Sequence, residues 1–206
     1  MVEVDLAGRD IVDSRILTAM ERLPRHCFVG DPQVDDAYAD RALPIGWDQT
    51  ISQPYIVAFM AQVLDVTPGD RILEVGTGSG YAAAVLAELG ATVITVERDP
   101  NLASVARDRL TTLGYSQVQV IQADGSPGCP DWAPFDAITV AAAAPSVPES
   151  LIAQLQIGGR LVIPVGGRQS EQSLIRVVRT EKGTKIEDLL PVTFVPLVGQ
   201  AGWPDS

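Results

Sequence analysis

The segment Glu74-Val75-Gly76-Thr77-Gly78-Ser79-Gly80-Tyr81 follows the apolar pair Ile72-Leu73 and carries glycine at every second position. Glycines spaced this way let the backbone approach a bulky ligand and adopt the φ values that a strand-to-helix turn demands. A lone glycine-rich turn is a weak signal, because packing by itself can require it. Two acids strengthen it. Glu97 ends the next strand-like run, about 20 residues on, where a carboxylate can accept both hydroxyls of a ribose. Asp124-Gly125 closes a third run and offers a carboxylate and free backbone groups to a purine edge. Each acid taken alone is commonly a solvated surface group, but three strand ends with suitable groups describe a nucleoside site.

The spacing also narrows the ligand. The dinucleotide fingerprint is G-x-G-x-x-G, whereas here the pattern is G-x-G-x-G. Glu74 stands just inside the turn, where a carboxylate repels a pyrophosphate and suits a cation. S-adenosylmethionine, which carries a sulfonium and an ammonium, therefore fits better than NAD.

Periodic patterns supply the elements that must hold these groups. Val12, Ile16, Met20 and Leu23 predict an amphipathic helix over 10–23 with Asp10 as its cap. Residues 24–51, interrupted by Pro24, Pro32 and Pro44, read mostly as loop. A helix begins at Pro54, with Ile56, Phe59, Met60 and Val63 as its expected buried stripe. Strands at 71–75, 92–96, 117–121, 136–140 and 160–165 then alternate with helices at about 80–88, 100–113 and 148–155, with a short irregular stretch after the third strand. Two longer strands, 173–179 and 186–196, close the chain as an antiparallel pair. Such alternation predicts an α/β fold with a mostly parallel sheet and helices on both faces, its ligand at the carboxyl ends of the strands.

Composition bounds the rest. The chain has 206 residues, enough to bury a core without disulfides, and a formal net charge of −11, which argues against a phosphate-backbone partner. Its two cysteines, Cys27 and Cys129, and single histidine, His26, lack metal-site spacing, so no metal is expected. The start, MVEVDLAGRD, has neither the basic nor the apolar stretch of a signal peptide, and no apolar run is long enough to span a bilayer. These features predict a cytoplasmic protein with no membrane partner, and monomer is the default assembly.

The glycine motif, together with Val96-Glu97, resembles the first two cofactor motifs of the protein-L-isoaspartate O-methyltransferase family. Leu43-Pro44-Ile45-Gly46-Trp47-Asp48-Gln49-Thr50-Ile51-Ser52-Gln53-Pro54-Tyr55 is similar to that family's own signature, which generic methyltransferases lack. Likeness extends through Leu23–Val29, Pro134–Ile138, Ala142–Pro145, Gly158–Gly166 and Phe194–Gly199, which covers nearly the whole chain. Two positions depart from the family pattern. Asp48 stands where a small or neutral residue is usual, and Ala141 where many members carry Thr.

The resemblance implies a Rossmann-like class I S-adenosylmethionine-dependent methyltransferase fold in a single domain over 1–206. Within it, 1–53 form an N-terminal extension with the substrate-side motif, 54–166 the cofactor-binding core and 167–206 the C-terminal strands. It implies Ser52 as the active-site residue, against the plainer reading that Ser52 merely helps start the helix at Pro54. It implies cofactor contacts from Gln49, Thr50, Ile51, Glu74, Gly76, Thr77, Gly78, Ser79, Gly80, Glu97, Arg98, Asp124 and Gly125. The acceptor would be the carboxylate of isoaspartyl residues in damaged proteins. Leu197-Val198-Gly199 reads either as backbone groups for that substrate or as a simple edge strand. The alternatives are a methyltransferase for another carboxylate and a non-catalytic cofactor-binding module. A nucleic-acid methyltransferase is disfavoured by charge and by Ala141-Ala142-Ala143-Ala144-Pro145, which lacks an Asn-Pro-Pro-Tyr type motif.

Overall fold

Asp13, not Asp10, opens the first helix. Its carboxylate accepts the Arg15 amide at 2.8 Å, and α1 runs over Ser14–Arg22. The cause of the later start lies in the second helix. Gln62 accepts the Val12 and Asp13 amides and donates to the Asp10 carbonyl, which keeps these residues out of the helix. Val12 is accordingly 82% exposed, while Ile16, Met20 and Leu23 are buried as their spacing predicts.

The computed structural model describes residues 1–168 and 170–205. Within the segment expected to be loop it contains a hairpin, β1 (Leu43–Gly46) and β2 (Gln49–Ile51). The intervening Trp47 and Asp48 both adopt positive φ, 50° and 55°. A two-residue turn with left-handed residues matches the twist of paired strands, a feature hydrophobic periodicity cannot reveal. Pro54 then starts α2 (Pro54–Leu64). Its buried face is Tyr55, Val57, Ala58, Met60, Ala61 and Leu64, whereas Ile56, Phe59 and Val63 are half-buried. The stripe is displaced because small alanines, rather than the largest apolar side chains, let this helix lie close to the sheet.

From there the alternation holds. The elements are β3 (Arg71–Val75), α3 (Tyr81–Glu88), β4 (Thr92–Glu97), α4 (Pro100–Thr112), β5 (Gln119–Gln122), β6 (Phe135–Val140), α5 (Glu149–Gln154), β7 (Leu155–Gly166), β8 (Gln172–Thr180) and β9 (Gly183–Val192). The seven-stranded sheet has the order β5-β4-β3-β6-β7-β8-β9, parallel through β7 and antiparallel at β8 and β9. Residues alternate between its two faces as the period of two requires. Ile72, Val93, Ala137 and Val162 join the core beneath α1, α2 and α3. Leu73, Ile94, Ile138 and Leu161 join the core on the other face with Leu151 of α5. No helix among the described residues is long and apolar enough to cross a membrane.

Arg160 on β7 locks α2 to this sheet. Its Nε donates to the Leu64 carbonyl at 2.7 Å, and Nη2 to the Asp65 carbonyl and the Asp70 carboxylate at 2.8 and 2.9 Å. One guanidinium thus satisfies carbonyls left free by the end of α2 and neutralises a largely buried acid. Replacing Arg160 with Met should cost about 3 kcal/mol, the scale for removing one partner of a buried pair. Urea unfolding would measure it.

Candidate active site

The order of the sheet creates the site. β4 leaves β3 toward one edge and β6 lies on its other side, so a crevice opens above the carboxyl end of β3. The glycine turn between β3 and α3 sits there. Gly78, with φ of 51°, turns its amide toward Glu97, whose Oε2 accepts it at 2.9 Å. The other oxygen of Glu97 accepts the Asp99 amide at 3.0 Å. From α4, Arg109 donates to the Ser79 carbonyl at 2.8 Å and holds the far side of the turn. Beyond β5, Gly125 closes the floor. A Cβ there would lie 2.9 Å from Val75 Cγ1 and 3.2 Å from Val96 Cβ, so a side chain is excluded by the two strand ends.

A cavity of about 920 Å³ covers these strand ends, large enough for a nucleoside with an attached amino acid. Of the residues expected from the sequence, it is lined by Gln49, Thr50, Ile51, Ser52, Glu74, Gly76, Thr77, Gly78, Ser79, Glu97, Arg98 and Gly125. Gly80 lies just behind the lining, with φ of 88°, and caps α3. Asp124 is not in the lining. Its Oδ1 accepts the Ser126 amide and its Oδ2 the Gln200 amide, both at 2.8 Å, so it ties the C-terminal segment to the end of β5. Burial pushes this carboxyl up, but those two amides outweigh it and hold it below the usual carboxylate range.

Glu74 differs most from a simple anionic wall. Its pKa is raised to about 8, chiefly by burial and also by the neighbouring Glu97, against the downward pull of the Thr95 hydroxyl. Thr95 Oγ1 donates to Glu74 Oε2 at 2.6 Å and lies 2.6 Å from Thr77 Oγ1. The carboxyl is therefore mostly neutral at pH 7 until a cation is brought beside it. The charge inferred from the sequence is latent rather than standing.

The hairpin forms the opposite wall. Ile45 approaches Gly78, where an added Cβ would lie 3.6 Å from Ile45 Cδ1, and Trp47 and Asp48 stand at the rim. Asp48 thus brings an acidic side chain to this cavity. Ala141 backs the glycine turn: a Cβ on Gly76 would sit 3.4 Å from its own Cβ. The cavity is also lined by Pro191–Val198, of which the sequence offered only Leu197 and Val198 as substrate partners, while Phe194–Val198 belongs to the resemblance. The Leu197 amide donates to the Ala143 carbonyl at 2.8 Å and the Gly199 amide to the Trp203 carbonyl at 2.9 Å. These two donors are therefore committed within the chain, which removes them from the backbone role considered for a substrate. Among the described residues, no group of three or more His, Cys, Asp or Glu could hold a metal ion.

The donor set fits S-adenosylmethionine. A glycine-rich turn at the strand ends, the Glu97 side chain and the buried Glu74 carboxyl meet at one cavity. The fold and site define a class I S-adenosylmethionine-dependent methyltransferase. The sequence profile described as protein-L-isoaspartate(D-aspartate) O-methyltransferase matches residues 1–202, and the chain belongs to that family. Among its relatives, the protein-L-isoaspartate O-methyltransferase 1 of Geotalea uraniireducens is 52% identical over 204 residues, 98% of this chain and 93% of that protein. A solved protein-L-isoaspartate O-methyltransferase superposes with a TM-score of 0.88 at 27% identity, covering 98% of this chain and 67% of the other. A Plasmodium falciparum protein proposed to have the same activity, solved with S-adenosyl-L-homocysteine, gives 0.82 at 25% identity over 94% and 95% of the two chains.

Two outcomes test the cofactor side. Changing Glu97 to Ala should weaken cofactor binding by about 1.5–3 kcal/mol, the worth of hydrogen bonds to a charged group; unchanged affinity by calorimetry would remove it from the ribose. Cofactor binding at pH 7 should also release about one proton, because a neighbouring cation favours the ionised form of Glu74. Calorimetry in buffers of different ionisation enthalpy reads this release, which Glu74→Gln should abolish.

Proposed function

We propose that this chain performs the reaction of its family with Ser52 as the residue that holds the acceptor. The substrate is the carboxylate of an L-isoaspartyl residue in a damaged protein or peptide. S-adenosylmethionine, when bound, supplies an electrophilic methyl group on a sulfonium. One observation carries this reading: Ser52, from the N-terminal extension, lines the same cavity as Gly76–Ser79 of the glycine turn and Glu97.

The acceptor carboxylate is already ionised at pH 7, so the chain has no proton to remove and needs no strong base. What it must supply is placement. A correctly oriented pair of reactants is worth up to about 7–11 kcal/mol of the barrier, provided the attacking oxygen lines up with the bond being broken. Ser52 suits this task because its hydroxyl is not spent on capping α2. Gln53 occupies the cap position, and the Tyr55 amide is taken by Asp40 Oδ1 at 3.0 Å. Helix initiation is therefore served by Asp40, which leaves Ser52 to donate a hydrogen bond to the acceptor. Gln49–Ile51 wall the methyl side. Gly76, Thr77, Gly78 and Gly125 hold the cofactor's body, Glu97 its ribose, and Arg98 stands at the rim with its guanidinium on Asp205 at 2.7 Å. Asp48 at the entrance disfavours acceptors that carry further acids beside the damaged residue.

The formal charge of −11 supports an enzyme that leaves nucleic acid alone, and its working form in this reading is a cytoplasmic monomer. The division into an N-terminal extension, core and C-terminal strands belongs to the same reading.

The experiment is incubation with labelled S-adenosylmethionine and two peptides that differ only in an isoaspartyl or aspartyl linkage. Base-labile label on the isoaspartyl peptide alone is expected. Ser52→Ala should lower turnover by about 10²-fold, the cost of misplaced reactants, with cofactor affinity unchanged. Label on neither peptide with cofactor binding intact would overturn the substrate, and equal losses of turnover and affinity would overturn the role of Ser52.

A further inference from the structure

Arg25 is the largest fully buried side chain, with no exposed surface, and it lies outside the cofactor-binding core. It begins a short helical turn, Arg25–Phe28, in the N-terminal extension. Its Nε donates to the Ala37 carbonyl at 2.8 Å, and its Nη2 donates to the Ser52 carbonyl at 2.8 Å. The guanidinium also stands over the ring of Tyr81, 4.8 Å from its centre, and Phe28 meets that ring edge-on at 5.3 Å. Tyr81 is the first residue of α3, directly after Gly80 of the cofactor turn. One cation thus touches the residue that holds the acceptor and the residue that follows the cofactor loop.

Burying a guanidinium is costly, because an arginine keeps its charge inside a protein. Here its directed contacts are two backbone carbonyls, and Nη1 has no partner. The buried Tyr81 hydroxyl makes no well-aligned hydrogen bond either, but it lies close enough to the guanidinium to offset part of its burial. An apolar side chain of similar volume would fill the space at lower cost, so packing does not account for the charge. The planar fork does, since it can hold two carbonyls in fixed directions while its face lies on an aromatic ring. Asp40 acts from the other side. Its Oδ2 accepts Gln53 Nε2 at 2.8 Å and its Oδ1 the Tyr55 amide, so the residues that follow Ser52 are held as well.

We propose that Arg25 is a positioning residue that fixes the backbone of Ser52 for methyl transfer and couples it to the start of the cofactor helix through Tyr81. The proposal rests on the reading of Ser52 given above. The role is assigned to orientation rather than to contact with substrate.

The test uses the full chain with Arg25→Lys, Ser52→Ala and the double variant. Lysine keeps the charge and cannot bridge both carbonyls. Arg25→Lys should lower kcat on the isoaspartyl peptide by about 10²-fold, as a small misplacement of a reacting group does. In the Ser52→Ala background the same change should lower kcat by no more than about twofold, since two residues acting through one group are not additive. Full additivity, an unchanged kcat in Arg25→Lys, or a Ser52→Ala variant without effect would each overturn the proposal.

Hydrogen exchange supplies a readout independent of turnover. Amides in 49–57 should exchange about tenfold faster in Arg25→Lys, with those in 83–96 unchanged, as expected for a local opening. Unchanged exchange in 49–57, or equal acceleration everywhere, would overturn it. A wild-type protein inactive on the isoaspartyl peptide would remove the substrate assignment, while the exchange comparison would still decide the role of Arg25.

Discussion

Parallel pairing of β3 with both β4 and β6 obliges three strands to finish at the same edge of the sheet. In register, Val75 lies beside Val96 on one side and Val140 on the other, so Gly76, Glu97 and Ala141 emerge together. The Gly76 amide reaches the Val96 carbonyl and the Ala141 amide the Val75 carbonyl, which continues the ladder past the last strand residue. Everything chemical in the molecule hangs on that edge. The glycine turn can approach a ligand because its neighbours are the ends of strands rather than side chains. Glu97 can grip the Gly78 amide because the register brings it level with the turn.

A parallel edge of this kind binds a cofactor but says nothing about an acceptor. Beside that edge lie the first 53 residues, which contribute no strand to the sheet. They fold over the cavity as a helix, turns and a hairpin, held by apolar side chains such as Leu6, Ile16, Met20, Phe28 and Leu43 that join the core with α2 and by a few long-range polar contacts. Gln62 anchors residues 10–13, Asp40 caps α2, and Arg25 grips the Ser52 carbonyl. Hydrophobic burial joins this segment to the core, and directional hydrogen bonds fix the orientation of its backbone. Directional contacts are the ones that fix an orientation, which burial alone does not.

The two acids nearest the cofactor turn show how position divides identical chemistry. Glu97 ends a strand, where two backbone amides meet its oxygens. Glu74 lies one step inside β3, where burial makes its ionised form costly. The first is organised before any ligand arrives, and the second answers to the charge of what arrives. A site for a ligand with a neutral sugar and two cationic centres needs both kinds.

Much of this was legible in the residues. The alternation of apolar runs and helical stripes determined the α/β class, each strand of the sheet to within a few residues and the antiparallel closing pair, because side-chain period is a local property. Glycine spacing and the acid at the end of β4 determined the cofactor edge for the same reason. What only the tertiary structure decided were contacts between residues far apart in the chain. The start of α1 shifted to Asp13 because Gln62 claims the residues before it. Asp124 meets the Gln200 amide because the C-terminal segment folds back over β5. The hairpin at 43–51 and the hold of Arg25 on Ser52 have no periodic signature, since a turn with left-handed residues and a bridge across 27 positions are settled by packing. Local pattern determines which segments become strands and helices, and the surroundings they create for one another decide which polar groups remain free for chemistry.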